Sequence, residues 1–122
     1  MTKSILLVED DPFLIDIYRQ KFEKSGFDIR VAENASKVFQ LLEEKIPEVI
    51  LLDIVLPQMD GWSVLKKIRA NKDWDSCQVI IFSNLGQKEE VEKGLALGAN
   101  KYLIKSQHTP LEVVQEVSKM LA

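Results

Sequence analysis

The sequence predicts an α/β fold built on a doubly wound parallel sheet. Five short apolar runs alternate with segments whose apolar residues recur at helical spacing, in the order βαβαβαβαβα. Three of the runs are apolar on both faces, which is typical of central strands covered by helices on each side. Because such alternation favours right-handed crossovers between parallel strands, we expect one five-stranded sheet with five helices.

The predicted strands are short runs of mainly aliphatic residues. They are Ile5–Val8, Ile29–Val31, Val49–Leu52, Val79–Phe82 and Tyr102–Ile104. Parallel strands need a long crossover connection, so a helix between each pair is the expected arrangement.

The first two helices carry clear start and stop signals. Asp11 as N-cap and Pro12 in the first turn begin one helix, and Gly26 ends it. Its apolar stripe is Leu14, Ile17, Tyr18 and Phe22. The second helix begins after Asn34 and ends before Pro47. Its stripe is Ala35, Val38, Phe39, Leu42 and Ile46.

The remaining three helices are predicted from shorter patterns. The fourth is predicted only from Val91 and Leu95, and it is weakened by Gly94 and closed by Gly98. The third helix follows Gly61, with the stripe Val64, Leu65 and Ile68. The last helix has Thr109 and Glu112 as a capping box around Pro110, with the stripe Leu111, Val114, Val117 and Leu121.

Length and composition fit one domain and exclude several classes of protein. The 122 residues, 46% of them hydrophobic, can bury a core without a disulfide or a metal. A net charge of −3 gives no basic surface for nucleic acid, and no apolar run approaches the ~20 residues of a membrane span. Cys77 is the only cysteine, which fits a reducing compartment. The apolar stretch that follows Ser4 near the N-terminus is too short for the core of a signal peptide. We therefore expect a cytoplasmic domain covering residues 1–122.

Charged and hydroxyl residues stand directly after four of the predicted strands. In open α/β sheets, ligands bind beyond the carboxyl ends of the strands, near the point where the strand order reverses. The residues at these positions are Glu9, Asp10 and Asp11 after the first strand, Asp53 after the third, Ser83 and Asn84 after the fourth, and Lys105 after the fifth. Taken alone, Asp11 is better explained as a helix cap and Ser83 as a strand-end cap. A carboxylate behind four aliphatic residues, as at Asp53, is costly to bury without a partner, so we expect these groups to form one site.

Three carboxylates in one place call for a cation. Two carboxylates 4 Å apart repel by roughly 4 kcal/mol at an effective dielectric constant of 20, and one lysine offsets only part of the charge of Glu9, Asp10 and Asp53. Oxygen ligands at a hydrated site favour Mg²⁺, and zinc is disfavoured because His108 is the only histidine.

Such a site has the chemistry for phosphoryl transfer. A carboxylate beside a metal can attack a phosphodonor and form an aspartyl-phosphate, while a hydroxyl and an ammonium hold the phosphoryl oxygens. The residues alone leave open which carboxylate is attacked.

Four segments of the chain, in this order and spacing, resemble the response-regulator receiver domain of bacterial two-component signalling, in its single-domain, chemotaxis-regulator-like form. The segments are Ile5-Leu6-Leu7-Val8-Glu9-Asp10-Asp11, Leu52-Asp53-Ile54-Val55-Leu56-Pro57-Gln58-Met59-Asp60-Gly61, Phe82-Ser83-Asn84 and Leu97-Gly98-Ala99-Asn100-Lys101-Tyr102-Leu103-Ile104-Lys105. The resemblance covers essentially the whole chain and implies a flavodoxin-like fold with strand order 2-1-3-4-5.

The resemblance assigns a role to each residue of the site. It implies that Asp53 is the phosphoacceptor and that Asp10, Asp53 and the backbone carbonyl of Val55 ligate Mg²⁺, with Glu9 acting mostly through bound water. It also implies that Ser83 and Lys105 contact the phosphoryl group. Ser83 and the aromatic Tyr102 would form the switch: the hydroxyl moves toward the phosphate and the ring turns inward behind it. Pro57 and Gly61 would shape the loop after the third strand.

The implied function is a phosphorylation-dependent switch and not a turnover enzyme. The expected phosphodonor is a sensor histidine kinase, a phosphotransfer protein or a small acyl phosphate, and the expected output partner is another protein. The fourth helix, fifth strand and fifth helix would form the output face, and a homodimer through that face is a further expectation. Direct contact with nucleic acid or membrane is not expected.

Two departures from the family pattern carry expectations of their own. Ser106 stands where the family usually has a proline after the lysine, so we expect a more mobile loop before the last helix. Val55 and Leu85, each two positions beyond a site residue, are apolar and cannot orient an attacking water. We therefore expect slow self-dephosphorylation.

Three other functions remain open at this point. The chain could be a receiver-like docking platform that no longer accepts phosphate, although it keeps all the site residues. A phosphatase of the haloacid-dehalogenase superfamily would need an aspartate where Val55 stands, and a substrate-enclosing cap. A flavodoxin would need a phosphate-binding loop where Glu9, Asp10 and Asp11 would repel the cofactor.

Overall fold

A computed structural model of the chain describes residues 2–56 and 60–122. Within these residues the strands are β1 (Lys3–Val8), β2 (Phe27–Ala32), β3 (Val49–Leu52), β4 (Gln78–Ser83) and β5 (Lys101–Ile104). The helices are α1 (Pro12–Lys24), α2 (Ala35–Glu44), α3 (Gly61–Ala70), α4 (Lys88–Ala96) and α5 (Pro110–Leu121), with short 3-10 turns at Lys72–Trp74 and Lys105–Gln107. The sheet is entirely parallel, in the order β2-β1-β3-β4-β5. This is the flavodoxin-like fold that the sequence predicts, and each predicted strand lies within an observed one.

The sheet buries both of its faces, as its apolar strands predict. Alternate residues of β1 enter different clusters: Leu6 and Val8 pack with α2 and α3, whereas Ile5 and Leu7 pack with α1 and α5. All four residues of β3 are completely buried. Side chains on a strand point alternately to opposite faces, so a strand that is apolar throughout requires this two-sided cover.

The predicted helix caps form. The Asp11 carboxylate accepts a hydrogen bond from the Phe13 N–H, and the Asn34 side chain accepts one from the Lys37 N–H. Thr109 and Glu112 form the reciprocal capping box at the start of α5. These bonds satisfy N–H groups that a helix start leaves without partners.

Two of the predicted apolar stripes are wrong at one end. Ile46 lies beyond the end of α2 and is 39% exposed, because the residue before Pro47 is disfavoured in helical conformation; Leu41 is buried in its place. Leu111 lies in the first turn of α5 and is 57% exposed, since the helix turns Val113 toward the sheet.

The fourth helix packs differently from the prediction. Within α4, all of which the structure describes, Gly94 is the only buried residue, whereas Leu95 is 46% exposed. A Cβ at residue 94 would come within 2.4 Å of Ile81 Cδ1 and 3.1 Å of the Tyr102 ring. Gly94 is therefore the residue that lets α4 approach the sheet, a packing role that the sequence did not reveal.

In the part of the chain that the structure describes, the helices lack the length and apolar character needed to cross a bilayer.

The Cys77 thiol is buried, and burial raises its pKa to about 12. The thiolate that reacts or binds metal is therefore scarce near neutral pH.

Gly61 permits a close approach between the start of α3 and the backbone that carries Asp53. Its N–H donates to the Ile54 carbonyl at 2.7 Å, and a Cβ would lie 2.5 Å from Ile54 Cα and 2.7 Å from the Asp53 carbonyl oxygen. We predict that Gly61→Ala lowers the free energy of unfolding by about 2 kcal/mol, because backbone atoms must shift to admit the methyl group. Urea unfolding measures this loss.

The matched control is Gly86→Ala, because the three atoms nearest its Cβ would all belong to the Ile104 side chain, Cδ1 at 2.8 Å and the two γ carbons at 3.3 and 3.4 Å, and none to the backbone. We expect a change within about 0.5 kcal/mol for this variant. Equal urea midpoints for Gly61→Ala and the unmodified protein would contradict the prediction.

Candidate phosphoryl-transfer site

The carboxyl ends of the four strands β1, β3, β4 and β5 bring the predicted site residues to one edge of the sheet. Glu9 follows β1, Asp53 follows β3, Ser83 ends β4 and Lys105 follows β5. Val8 of β1 pairs in register with Leu52 of β3, so the residues that follow them lie side by side. The Asp53 N–H continues this pairing by donating to the Val8 carbonyl at 3.1 Å. The expected convergence of these residues is therefore seen.

The Lys105 ammonium lies between two buried carboxylates. Its Nζ is 2.6 Å from Glu9 Oε1 and 2.9 Å from Asp53 Oδ2. The side chains of Lys105, Glu9 and Asp53 are only 14%, 2% and 7% exposed. Charges buried this deeply require partners, and each of the three has one here.

Burial and pairing act in opposite directions on the ionisation of these groups. Burial raises the pKa of Glu9, with the Asp53 charge adding to the rise and the hydrogen bond and charge of Lys105 opposing it. Burial works to lower the pKa of Lys105, but the hydrogen bonds with Glu9 and Asp53, together with the charges of these two carboxylates, outweigh that effect and leave the pKa raised. Lys105 therefore carries its positive charge at neutral pH.

Backbone groups hold the remaining oxygens of the two buried carboxylates. Glu9 Oε2 accepts from the N–H groups of Asp10 at 3.1 Å and Asp11 at 3.2 Å, and Asp53 Oδ1 accepts from the Val55 N–H at 3.1 Å. Asp10 itself is exposed. The site thus has two buried carboxylates, Glu9 and Asp53, held by backbone hydrogen bonds, and one carboxylate, Asp10, exposed to solvent.

The donor set fits a hard divalent cation. Carboxylate oxygens of Glu9, Asp10 and Asp53 lie within 4.8 Å of one another. Oxygen ligands of this kind, partly open to water, are those that Mg²⁺ prefers. The structure places the Val55 side chain in solvent, 60% exposed, and the role of its carbonyl as a metal ligand stays a prediction.

Ser83 and Tyr102 are joined through the peptide groups of Leu85. The completely buried Ser83 Oγ accepts from the Leu85 N–H at 3.2 Å, and the Tyr102 hydroxyl donates to the Leu85 carbonyl. Burial raises the pKa of Tyr102, with the Glu90 charge adding to it, so the hydroxyl keeps its proton. The sequence shows Leu85 only as an apolar side chain and gives no signal for this backbone connection.

Phe82 is a further neighbour of the site that the sequence did not reveal. Its ring centroid lies 5.5 Å from Lys105 Nζ. An aromatic residue in a buried strand is ordinarily a core residue, and the sequence predicts Phe82 only as the last residue of the fourth strand. Only the fold shows that Lys105 reaches its ring.

Other predicted positions take local structural roles. Asp11 caps α1, as expected, and Asn84 is exposed. Ser106 lies in the 3-10 turn Lys105–Gln107. Pro57, predicted to shape the loop after β3, lies outside the described residues.

Comparisons with known proteins identify the family of the chain. The profile of the response regulator receiver domain family matches residues 5–117. An uncharacterized 14.6 kDa protein from Leptolyngbya boryana is 31% identical over 95% of this chain and 88% of that protein. The alkaline phosphatase synthesis transcriptional regulatory protein PhoP of Bacillus subtilis is 32% identical over 99% of this chain but only 49% of its own length.

The structural match is equally extensive. The crystal structure of the response regulator Rcp1 in its Mn²⁺-bound form superposes with a TM-score of 0.83 at 26% identity, covering 98% of this chain and 94% of that one. The chain spans about half the length of curated relatives such as the Bacillus subtilis regulator. The family profile, the strand order and the polar residues at the strand ends lead to one conclusion: the chain belongs to the response regulator receiver domain family.

Proposed function

We propose that this chain accepts a phosphoryl group on Asp53, with Mg²⁺ bound beside it, and acts as a phosphorylation-dependent switch. The observation that carries the proposal is the Lys105 ammonium held between the buried carboxylates of Glu9 and Asp53, next to the exposed Asp10. In this proposal residues 1–122 act as one receiver unit in the cytoplasm. A sensor histidine kinase or phosphotransfer protein is the donor.

The position of Asp53 favours it as the nucleophile. It follows β3, which lies between β1 and β4 in the sheet. A phosphoryl group on Asp53 is therefore flanked by Glu9 and Asp10 on one side and by Ser83 on the other. Glu9 follows β1, which is one strand further from Ser83 than β3 is. Because neighbouring strands are about 4.8 Å apart, a phosphoryl group on Glu9 would lie farther from the Ser83 hydroxyl.

The phosphoryl transfer needs no reactant besides the donor and the Asp53 carboxylate. An Asp53 carboxylate oxygen forms a bond to phosphorus as the bond from phosphorus to the donor nitrogen or oxygen breaks, and the donor leaves with the electron pair. Lys105 then pairs with a phosphoryl oxygen, and the Ser83 hydroxyl donates to another. Because the carboxylate itself is modified and loses the phosphoryl group only slowly, the chain acts as a switch and not as a turnover enzyme.

Asp10, Asp53 and the Val55 carbonyl would hold Mg²⁺, with Glu9 acting through water. When bound, the ion supplies positive charge that offsets the charge of the phosphoryl oxygens. The proximity of the three carboxylates supports this assignment, and so does the Mn²⁺-bound form of the 26% identical relative Rcp1.

The output face is proposed to be α4, β5 and α5. The Leu85 peptide groups link Ser83 to Tyr102 of β5, and the Tyr102 ring packs against Gly94 of α4. A displacement of Ser83 toward the phosphoryl group therefore changes the contacts of α4. Exposed Leu95 and Leu111 give this face apolar surface for an effector protein or a second copy of the chain.

We predict that incubation with acetyl phosphate and Mg²⁺ adds one phosphoryl group to the protein, measured as intact mass. Asp53→Asn and an EDTA-treated sample should show no adduct, because one lacks the nucleophile and the other the metal. Asp73→Asn, a change of the same chemical kind at an exposed position in the Lys72–Trp74 turn, should react like the unmodified protein.

Phosphoramidate, a second donor, and beryllofluoride, a mimic of the phosphoryl group, extend this measurement to the case in which acetyl phosphate does not react. Absence of an adduct or complex with all three reagents would contradict the proposal. It would leave the docking platform that does not accept phosphate as the better account.

The apolar side chains of Val55 and Leu85 lead to a second prediction, a slow loss of the phosphoryl group. Neither side chain can orient an attacking water by hydrogen bonding. The double variant Val55→Asn, Leu85→Gln should lose the group several-fold faster, as measured by the decay of the phosphorylated mass. Leu111→Gln, an equally polar change on the exposed surface of α5, should leave the decay unchanged; equal half-lives for all three proteins would contradict this prediction.

A further inference from the structure

The Lys105 ammonium has a third neighbour besides its two carboxylates. Its Nζ lies 5.5 Å from the centroid of the Phe82 ring, within the range at which a cation and an aromatic face attract each other. Lys105 is largely shielded from water, and this attraction is strongest where the cation is desolvated.

The Phe82 ring is itself fixed in place. Phe82 is 2% exposed, and its ring meets the Tyr18 ring edge to face at 5.3 Å and 77°. Tyr18 is buried and packs in turn on Phe22, at 6.4 Å between centroids. The ring beneath Lys105 is therefore the end of a packed aromatic row and cannot turn away freely.

A lysine needs such a support because its stem is flexible and its ammonium is a point charge without directional preference. Glu9 and Asp53 attract the ammonium, but this attraction is altered when the site fills. A bound metal ion offsets the negative charge of the carboxylates, and a phosphoryl group modifies Asp53 itself. The ring quadrupole of Phe82 is the same before and after these events. It can keep the ammonium at the edge of the sheet while its anionic partner changes from the Asp53 carboxylate to a phosphoryl oxygen.

We propose that Phe82 is a positioning residue for phosphoryl transfer, whose ring face holds the Lys105 ammonium beside Asp53. This inference rests on the proposed function. It assigns β4 two adjacent contributions to one reaction: the Ser83 hydroxyl for the phosphoryl group and the Phe82 ring for the lysine.

A purely structural role for Phe82 makes a different prediction. A ring that only fills the core should tolerate any change that keeps its size and apolar character. A ring that holds a cation should lose function when its electron density is reduced at nearly constant size. Stepwise fluorination of the ring separates these two cases.

The test replaces Phe82 with 4-fluoro-, 3,5-difluoro- and 3,4,5-trifluorophenylalanine and measures the rate of phosphorylation by acetyl phosphate at saturating Mg²⁺. We expect the rate to fall step by step, by about two- to tenfold across the series, as the ring loses its attraction for the ammonium. Phe22, fully buried in the same cluster, is the matched control, and fluorination there should leave the rate unchanged.

A double-mutant cycle provides a readout that does not depend on phosphorylation. The test compares the unfolding free energies of Phe82→Leu, Lys105→Met and the double variant. The loss in the double variant should differ from the sum of the two single losses, because the two side chains interact. Additive effects would overturn the proposal, because they would show that the ring does not hold the ammonium.

The two proposals fail in distinguishable ways. If the unmodified protein accepts the phosphoryl group but fluorination of Phe82 changes the rate no more than fluorination of Phe22, only the positioning role is wrong. If the unmodified protein accepts none, the proposed function is wrong and the positioning role falls with it.

Discussion

The ion pair that Lys105 makes with Glu9 and Asp53 constrains much of the surrounding structure. Burying charges costs several kcal/mol per ion, which close pairing only partly offsets, so apolar residues in the same places are often as stable or more so. Glu9 and Asp53 nevertheless sit on the floor of the site, and their remaining oxygens are satisfied by backbone N–H groups. An arrangement of this cost is understandable if the charges are kept for chemistry: a metal ion and a phosphoryl group can each take the place of the lysine as a partner.

The parallel sheet makes this concentration of charge possible. Because β1, β3 and β4 are neighbours with all their carboxyl ends at one edge, residues 9, 53 and 83 meet although they are far apart in sequence. In the proposed function, the same sheet also carries the conformational change away from the site. The Leu85 peptide groups connect Ser83 at the site to Tyr102 on β5, and α4 rests on Tyr102 through Gly94, the only buried residue in that fully described helix. A helix held by so few buried side chains is suited to move when its contact with the ring changes.

The sequence was sufficient to predict the fold and the residues that meet at the sheet edge. Three apolar runs without a polar face predicted buried parallel strands, and parallel strands bring the polar residues that follow them to one edge of the sheet. The helix faces were harder to predict: Leu95 and Leu111 fit a helical stripe but are exposed, because Gly94 and Val113 make the close contacts instead. The Leu85 carbonyl and the Phe82 ring were missed for a related reason. Their contacts are made with distant residues, through a backbone atom in one case and a ring face in the other, and neither leaves a pattern in the sequence.

A structure of the protein with Mg²⁺ and beryllofluoride tests the central claim most directly, since it shows where the lysine goes when a phosphoryl mimic arrives. The account predicts beryllium bonded to an Asp53 carboxylate oxygen, with Lys105 Nζ and Ser83 Oγ each within hydrogen-bonding distance of a fluoride and Lys105 still above the Phe82 ring. A structure in which Lys105 remains bound to both Glu9 and Asp53, with no beryllofluoride at Asp53, would contradict it.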